Sequence, residues 1–158
     1  MQVEITDQHR WLQQLVGRWE FEMSCVMGPD QEPQKSTGAE TLTSLGGAWV
    51  IGEGGSGESD EQWSSRLTLG FDPAQQRFVG TFVASMMTHL WLYNGTLDEA
   101  GKTLTLDTEG PNMTDGKTTK YQDLYTVLGP GERTLTSRML DAQGNWVEFM
   151  SATYRRVG

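Results

Sequence analysis

Hydrophobic and polar residues follow two different periods along this chain. From Asp7 to Val16 the apolar side chains recur at helical spacing, and Thr6 or Asp7 can serve as the N-cap. Gly17 follows as a residue type that commonly ends a helix. The apolar side of this segment carries Trp11, Leu12, Leu15 and Val16. The pattern predicts one short helix over 7–16.

After Gly17 the pattern changes to alternation in short runs bounded by Gly, Pro, Asn and Asp, which predicts roughly ten strands from about 17 to 156. One turn pattern occurs three times, at 71–74, 97–101 and 140–144. In each case an apolar strand ends in Asp, and the next strand begins a few residues later. A sheet of this many hairpin-linked strands normally closes, because closure removes exposed edges. We expect an all-β protein, a single closed antiparallel up-and-down β-barrel over 1–158.

Hairpin register predicts which residues point into this barrel, since opposed residues share a face. An inner face of large apolar and aromatic side chains results, and it could line a pocket for a ligand. The candidate ligand-binding residues are Phe82, Met86, His89, Trp91, Tyr93, Met139 and Phe149. From Lys120 to Leu128 neither face is clearly the apolar one, so the register of this strand stays open.

Charge and cysteine content narrow the function classes. Twelve Lys and Arg stand against 21 Asp and Glu, a net charge of −9, which disfavours nucleic acid and anionic lipid surfaces as partners. Cys25 is the one cysteine, so no internal disulfide can form, and the first residues lack the pattern of a secretory signal. No apolar run is long enough to cross a membrane. We expect a cytoplasmic protein, with a monomer and a homodimer both compatible with the sequence.

The element Gly17-Arg18-Trp19, after a short helix, resembles the Gly-x-Trp element of lipocalins and related calycins. That resemblance implies that Trp19 closes one barrel end under an arginine of the last strand. Strand alternation favours Arg155 for this role, with Arg156 as the second choice. The alternative is a helix-ending glycine followed by an ordinary core tryptophan.

A broader resemblance covers most of the chain and is carried by four segments. HRWLQQLVGRWEFE, ETLTSLGGAWVIGE, LTLGFDPAQQRFVGTFVASMM and YNGTLDEAGKTLTL resemble the bacterial family DUF 1579, a domain of unknown function. The resemblance implies a calycin-like barrel and no particular activity. Fatty-acid-binding barrels use an Arg-x-Tyr pair that this chain replaces with Tyr154-Arg155-Arg156, and the Gly-rich opening motif of nitrobindin-type haem barrels is absent from GRWEFE.

Three functions are compatible with such a barrel. A small, largely apolar molecule could bind inside, oriented by Tyr93 or His89. An enzyme could use the same cavity, with His89 or Asp123 as acid or base. A filled barrel would instead be a structural or interaction protein. Because a buried carboxylate without a partner is costly, the surface is the favoured place for Asp123.

Metal and cofactor sites have little support in the sequence. His9 is the one other histidine, so we predict no metal site and no cofactor, and a haem bound through His89 is the alternative to that prediction. Cys25 is expected to be a buried, inert thiol. The acidic stretch 52–61 is expected to be a mobile loop at one barrel mouth.

Overall fold

One helix and ten strands make up the fold. The structure, a computed structural model, describes residues 2–26, 28, 30–57 and 62–158. The elements are α1 (Asp7–Gln13), β1 (Gly17–Cys25), β2 (Gln34–Leu45), β3 (Trp49–Ser56), β4 (Ser64–Asp72), β5 (Arg77–Ala84), β6 (Trp91–Leu97), β7 (Thr103–Pro111), β8 (Thr118–Gly129), β9 (Glu132–Leu140) and β10 (Trp146–Arg156).

The strands form one closed antiparallel sheet. Each strand pairs with the next along the chain, and β1 also pairs with β10, which closes the barrel. The predicted hairpin registers are present, because Phe71 faces Phe78 across the Asp72 turn and Leu104 faces Leu97 across the Asp98 turn. The predicted closed up-and-down barrel with one short helix is therefore confirmed.

Helix α1 is shorter than its apolar pattern predicts. Thr6 caps it, with its hydroxyl accepting from the His9 amide and Nδ1 of His9 accepting from the Thr6 amide. The helix ends at Gln13, since the amides of Leu15 and Val16 bond only three residues back, to Leu12 and Gln13. Gly17 therefore opens β1 instead of ending the helix.

The helix covers one end of the barrel, which we name the closed end. Nε2 of His9 donates to the carbonyl oxygen of Phe71 at 2.9 Å, and the Trp11 indole donates to that of Gly101 at 2.7 Å. Leu12 and Leu15 are fully buried in the core. The opposite end, where β5 ends and β6 begins, is the open end.

Trp19 is covered by Arg156, which corrects the expectation for Arg155. The Arg156 guanidinium stands 4.3 Å from the Trp19 ring centroid and donates to the carbonyl oxygens of Val16, Gln14 and Pro130. Arg155 is exposed on the outer face.

The reason for this difference is a β-bulge in β10. The pairing of β10 with β9 shifts between Glu148 and Met150, so Phe149 is an extra residue on β10. After this residue, the positions whose side chains point into the barrel shift by one. Arg156 thus inherits the inner position that simple alternation assigns to Arg155.

The hydrophobic core fills the closed half of the barrel. The described part of the chain contains no helix long and apolar enough to span a lipid bilayer. Of the predicted acidic loop, residues 52–56 belong to β3, whereas residues 58–61 lie outside the described part.

Candidate functional site

A cavity of about 450 Å³ lies at the open end of the barrel. Strands β5 to β10 and the two turns at 85–90 and 112–117 surround it. Its lining residues are Phe82, Met87, Thr88, His89, Trp91, Tyr93, Thr108, Pro111, Met113, Tyr121, Asp123, Ser137 and Phe149. Most of this surface is apolar, and the polar groups are few.

Four rings in edge-to-face contact form the aromatic wall of the cavity. The centroid distances are 4.6 Å from His89 to Trp91, 4.9 Å from Trp91 to Tyr121, and 5.9 Å from Tyr121 to Phe149. Edge-to-face geometry is the favourable one, because the positive edge of one ring meets the negative face of the next. The wall is therefore held by its own contacts.

The polar ends of these rings already have partners. Nε2 of His89 donates to the carbonyl oxygen of Glu109 at 2.8 Å, and the Tyr121 hydroxyl donates to that of Pro111 at 2.6 Å. The Trp91 indole donates to the sulfur of Met87 at 3.0 Å. The wall therefore presents aromatic surface to the cavity, and its hydrogen-bonding atoms are already paired with protein groups.

Gly110 makes the position of Trp91 possible. A Cβ at residue 110 would lie 2.4 Å from two ring carbons of Trp91 and 3.1 Å from Cδ2 of His89. Any side chain at this position would displace Trp91 and His89, so a glycine here is needed for the present shape of the cavity.

Asp123 forms the polar floor of the cavity together with two hydroxyls. The Tyr93 hydroxyl donates to Oδ2 and the Ser137 hydroxyl to Oδ1, both at 2.6 Å. Three strands supply the three groups: Asp123 lies on β8, Ser137 faces it on the adjacent strand β9, and Tyr93 comes from β6, which is separated from β8 by β7. These short bonds fix the carboxyl group in one orientation.

Burial and hydrogen bonding act on the carboxyl group in opposite directions. Loss of hydration raises the pKa of Asp123, while the bonds from Ser137 and Tyr93 lower it, and the net shift is upward. Burial, reinforced by the Asp123 charge, raises the pKa of Tyr93 well above its usual value. The Tyr93 hydroxyl therefore stays a proton donor to Asp123.

Thr108 brings a second polar group to the cavity. It is 7% exposed, and its Oγ1 has no hydrogen-bond partner among the described residues. A buried hydroxyl without a partner costs free energy, roughly 1–3 kcal/mol. Thr108 is therefore a lining residue whose hydroxyl has an uncompensated desolvation cost.

A buried ion pair lies between the floor and the closed end. Nη2 of Arg133 donates to Oε1 of Glu40 at 2.6 Å, and Arg133 is fully buried. The guanidinium also stands 3.9 Å from the Tyr154 ring centroid and 4.7 Å from that of Trp19. This pair fills the barrel beneath the cavity, and the sequence patterns described above do not identify it.

Five of the seven predicted ligand-binding residues line the cavity, namely Phe82, His89, Trp91, Tyr93 and Phe149. Met86 does not, because β5 ends at Ala84 and a turn leaves Met86 62% exposed. Met139 is half-buried and lies outside the lining.

Asp123 points inward, which corrects its expected place on the surface. The two hydroxyls on β6 and β9 supply the partners that a lone sequence segment cannot reveal. The pairing of β8 with β7 and β9 sets Tyr121, Asp123 and Tyr125 on the inner face, so the phase left open by the sequence is settled.

A haem held through Nε2 of His89 does not fit this arrangement. That atom donates to the carbonyl oxygen of Glu109, and the ring packs against Trp91. Among the residues that the structure describes, no three His, Cys, Asp or Glu side chains are grouped so that they could hold a metal ion. Cys25 is half-buried, and burial raises the pKa of its thiol.

A larger hollow of about 600 Å³ runs along β1, β2 and β10. Its lining is mostly Ser and Thr, with Glu22 and Lys35 as the charged members, and no aromatic ring contributes to it. The open-end cavity is therefore the better candidate site, since apolar walls with a few convergent polar groups are typical of ligand pockets.

Comparison with one solved structure supports the fold. A crystal structure of Rv2717c from M. tuberculosis has a TM-score of 0.71 at 14% identity, and the match covers 98% of this chain and 100% of that one. A redesigned β-barrel has a TM-score of 0.46 at 15% identity over 94% of this chain and 96% of that one. At 14% identity the likeness to Rv2717c concerns the fold alone.

No curated protein matches the sequence. The family described as protein of unknown function, DUF1579, matches residues 4–156, nearly the whole chain. This match agrees with the resemblance carried by the four sequence segments, and the chain belongs to the DUF1579 family.

Proposed function

We propose that this barrel binds a small, largely apolar molecule in the cavity at its open end. One observation carries the proposal: a cavity of about 450 Å³ has an aromatic wall and a compact polar floor. Pockets that bind drug-sized molecules commonly have volumes of roughly 300–1,000 Å³ and this mixture of linings.

Preorganisation supports the proposal further. The rings of the wall contact one another, their polar atoms have protein partners, and the floor carboxyl group is fixed by two hydroxyls. A site that needs no rearrangement spends less free energy on ordering when a ligand enters. The apolar body of the ligand would lie against Trp91 and Tyr121, with its polar end toward Asp123 and Tyr93.

A pair of identical substitutions on one strand tests this proposal. Thr108→Phe adds a ring inside the cavity, whereas Thr105→Phe adds the same ring on the opposite face of β7. The probe is phenylnaphthylamine, a neutral dye whose fluorescence rises in apolar surroundings. We expect the wild type and Thr105→Phe to bind it alike, and Thr108→Phe to bind at least about tenfold more weakly.

The melting temperatures of both variants show that they are folded. Equal dye affinity in Thr108→Phe and Thr105→Phe would contradict binding in the cavity. Absence of dye binding to the wild type would contradict it as well.

A second candidate function is proton transfer by Asp123, favoured by the upward shift of its pKa inside a cavity. Nitrobenzisoxazole tests it: a base removes its C–H proton, the electron pair forms a nitrile, and the N–O bond breaks to give a phenolate. Turnover that is lost in Asp123→Asn and kept in the outer-face variant Asp107→Asn would support this function. Equal rates in both variants would refute it.

A further inference from the structure

We propose that the ligand of the cavity is a protonated primary amine on an apolar body, with its ammonium group held by Asp123. This inference rests on the proposed function and specifies the class of ligand. It is carried by the hydrogen-bonding groups that face the cavity and by the charges around them.

The floor of the cavity offers mainly acceptors. A carboxylate can accept about four hydrogen bonds, and Asp123 receives one on each oxygen, from Tyr93 and Ser137. Both hydroxyls use their single proton in these bonds, so their remaining lone pairs can only accept. An incoming polar group that complements this floor must therefore be a donor.

Thr108 is compatible with this requirement. Its Oγ1 is the buried hydroxyl oxygen of the lining that has no partner among the described residues. A threonine hydroxyl can accept a bond or donate one, so Thr108 fits a donor ligand without requiring it. An ammonium group carries three N–H donors and no acceptor, which matches a floor of this kind.

Charge favours the same ligand. The lining contains no Lys or Arg in the part of the chain that the structure describes. Arg133, which is fully buried, is paired with Glu40 and not with Asp123. A positive ligand would supply the counter-charge that the half-buried Asp123 carboxylate lacks, and the net charge of −9 would favour its approach.

The aromatic wall suits a cation with an apolar body. Trp91 and Tyr121 line the cavity together with the floor, and ring faces attract a positive charge through their quadrupoles. The apolar part of the same molecule would lie against these two rings and extend to Phe82 and Phe149, which also line the cavity.

Three probes of one shape and different charge test the ligand class. Naphthylmethylamine is a cation at neutral pH, naphthylmethanol is neutral, and naphthoate is an anion. Isothermal titration calorimetry on the wild type should give the amine an affinity about tenfold or more above that of the alcohol, with naphthoate weakest. This comparison needs no variant, so it does not depend on whether any substitution folds.

Two variants then locate the effect. Asp123→Asn should lower amine affinity to that of the alcohol while alcohol affinity stays the same. Asp107→Asn makes the identical change on the outer face of β7, where Asp107 accepts from the Gln122 side chain, and should keep the full preference for the amine.

The outcomes separate this inference from the proposed function. Equal affinity for amine and alcohol, or tightest binding of naphthoate, would overturn the amine assignment and leave binding in the cavity intact. Binding of phenylnaphthylamine with none of the three probes would also overturn it. Failure of all four molecules to bind would overturn both.

Discussion

Substituting Glu40 by glutamine should destabilise the barrel strongly, because it leaves the charge of Arg133 buried without a carboxylate. Arg133 is fully buried, and its Nε and Nη1 have no hydrogen-bond partner among the described residues. Its bond to Glu40 is thus the main compensation for the loss of hydration. Removing one member of a buried pair typically costs about 3–5 kcal/mol.

The rings around Arg133 moderate this cost. Its guanidinium lies 3.9 Å from the Tyr154 ring centroid, 4.7 Å from that of Trp19 and 5.8 Å from that of Tyr125. Desolvated cation–π contacts are worth up to about 2 kcal/mol. We therefore expect a value near the lower limit, about 3 kcal/mol, for Glu40→Gln.

Urea unfolding followed by tryptophan fluorescence measures the change. With a slope of roughly 2 kcal/mol per molar urea, the midpoint should fall by about 1.5 M. Glu53→Gln is the matched control, because Glu53 faces Arg66 at 3.7 Å on the surface, where such pairs contribute under about 1 kcal/mol.

Adding Arg133→Met to Glu40→Gln should restore much of the lost stability, since it removes the unpaired charge. Equal midpoints for Glu40→Gln and Glu53→Gln would refute the reasoning. A double variant less stable than Glu40→Gln alone would refute it as well.

Further predictions concern Arg156 at the closed end, and the floor and the wall of the cavity. Arg156→Gln should lower stability by about 1–3 kcal/mol, whereas Arg155→Gln should change it by under about 0.5 kcal/mol; thermal melts that rank them the other way would contradict the placement of Arg156 over Trp19. The raised pKa of Asp123 means that its contribution to stability is fully present below about pH 3.9 and is lost as pH rises through the folded-state pKa. Wild-type stability relative to Asp123→Asn should accordingly fall with rising pH, and a difference that grows would count against a buried carboxyl group. Gly110→Ala should displace Trp91, cost about 1–3 kcal/mol and weaken dye binding; unchanged dye affinity would show that the wall tolerates a Cβ there.

The hairpin turns explain why the fold could be predicted from the sequence. Each Asp-terminated turn sets the register of its two strands, so the inner positions of Leu67, Phe82, Tyr93 and Leu106 follow from alternation alone. Closure follows from the number of strands. These features are local in sequence, which makes them accessible without a structure.

Features that depend on irregular backbone could not be predicted in the same way. The bulge at Phe149 moves the inward phase by one residue and exchanges Arg155 for Arg156. The turn after Ala84 removes Met86 from the inner face. No pattern of apolar residues signals either irregularity, because both arise where pairing with a neighbouring strand changes.

The interior polar groups could not be predicted from the sequence, because their hydrogen-bond partners lie on other strands. Asp123 is stable inside because Tyr93 and Ser137 reach it from 30 and 14 residues away in sequence. Arg133 pairs with Glu40, 93 residues away. One signal was available, since Arg133 has the same inward parity as Ser137 on β9, but its partner on β2 could not be identified from that parity.

The most direct test of binding at the open end is the response of two indole N–H groups in a proton–nitrogen NMR spectrum. Trp91 lines the cavity, whereas the Trp19 indole donates to the Leu15 carbonyl oxygen at the closed end. Titration with phenylnaphthylamine should shift the Trp91 indole signal and leave that of Trp19 in place. A shift of Trp19 with Trp91 unmoved, or no shift of either, would contradict a ligand site at the open end.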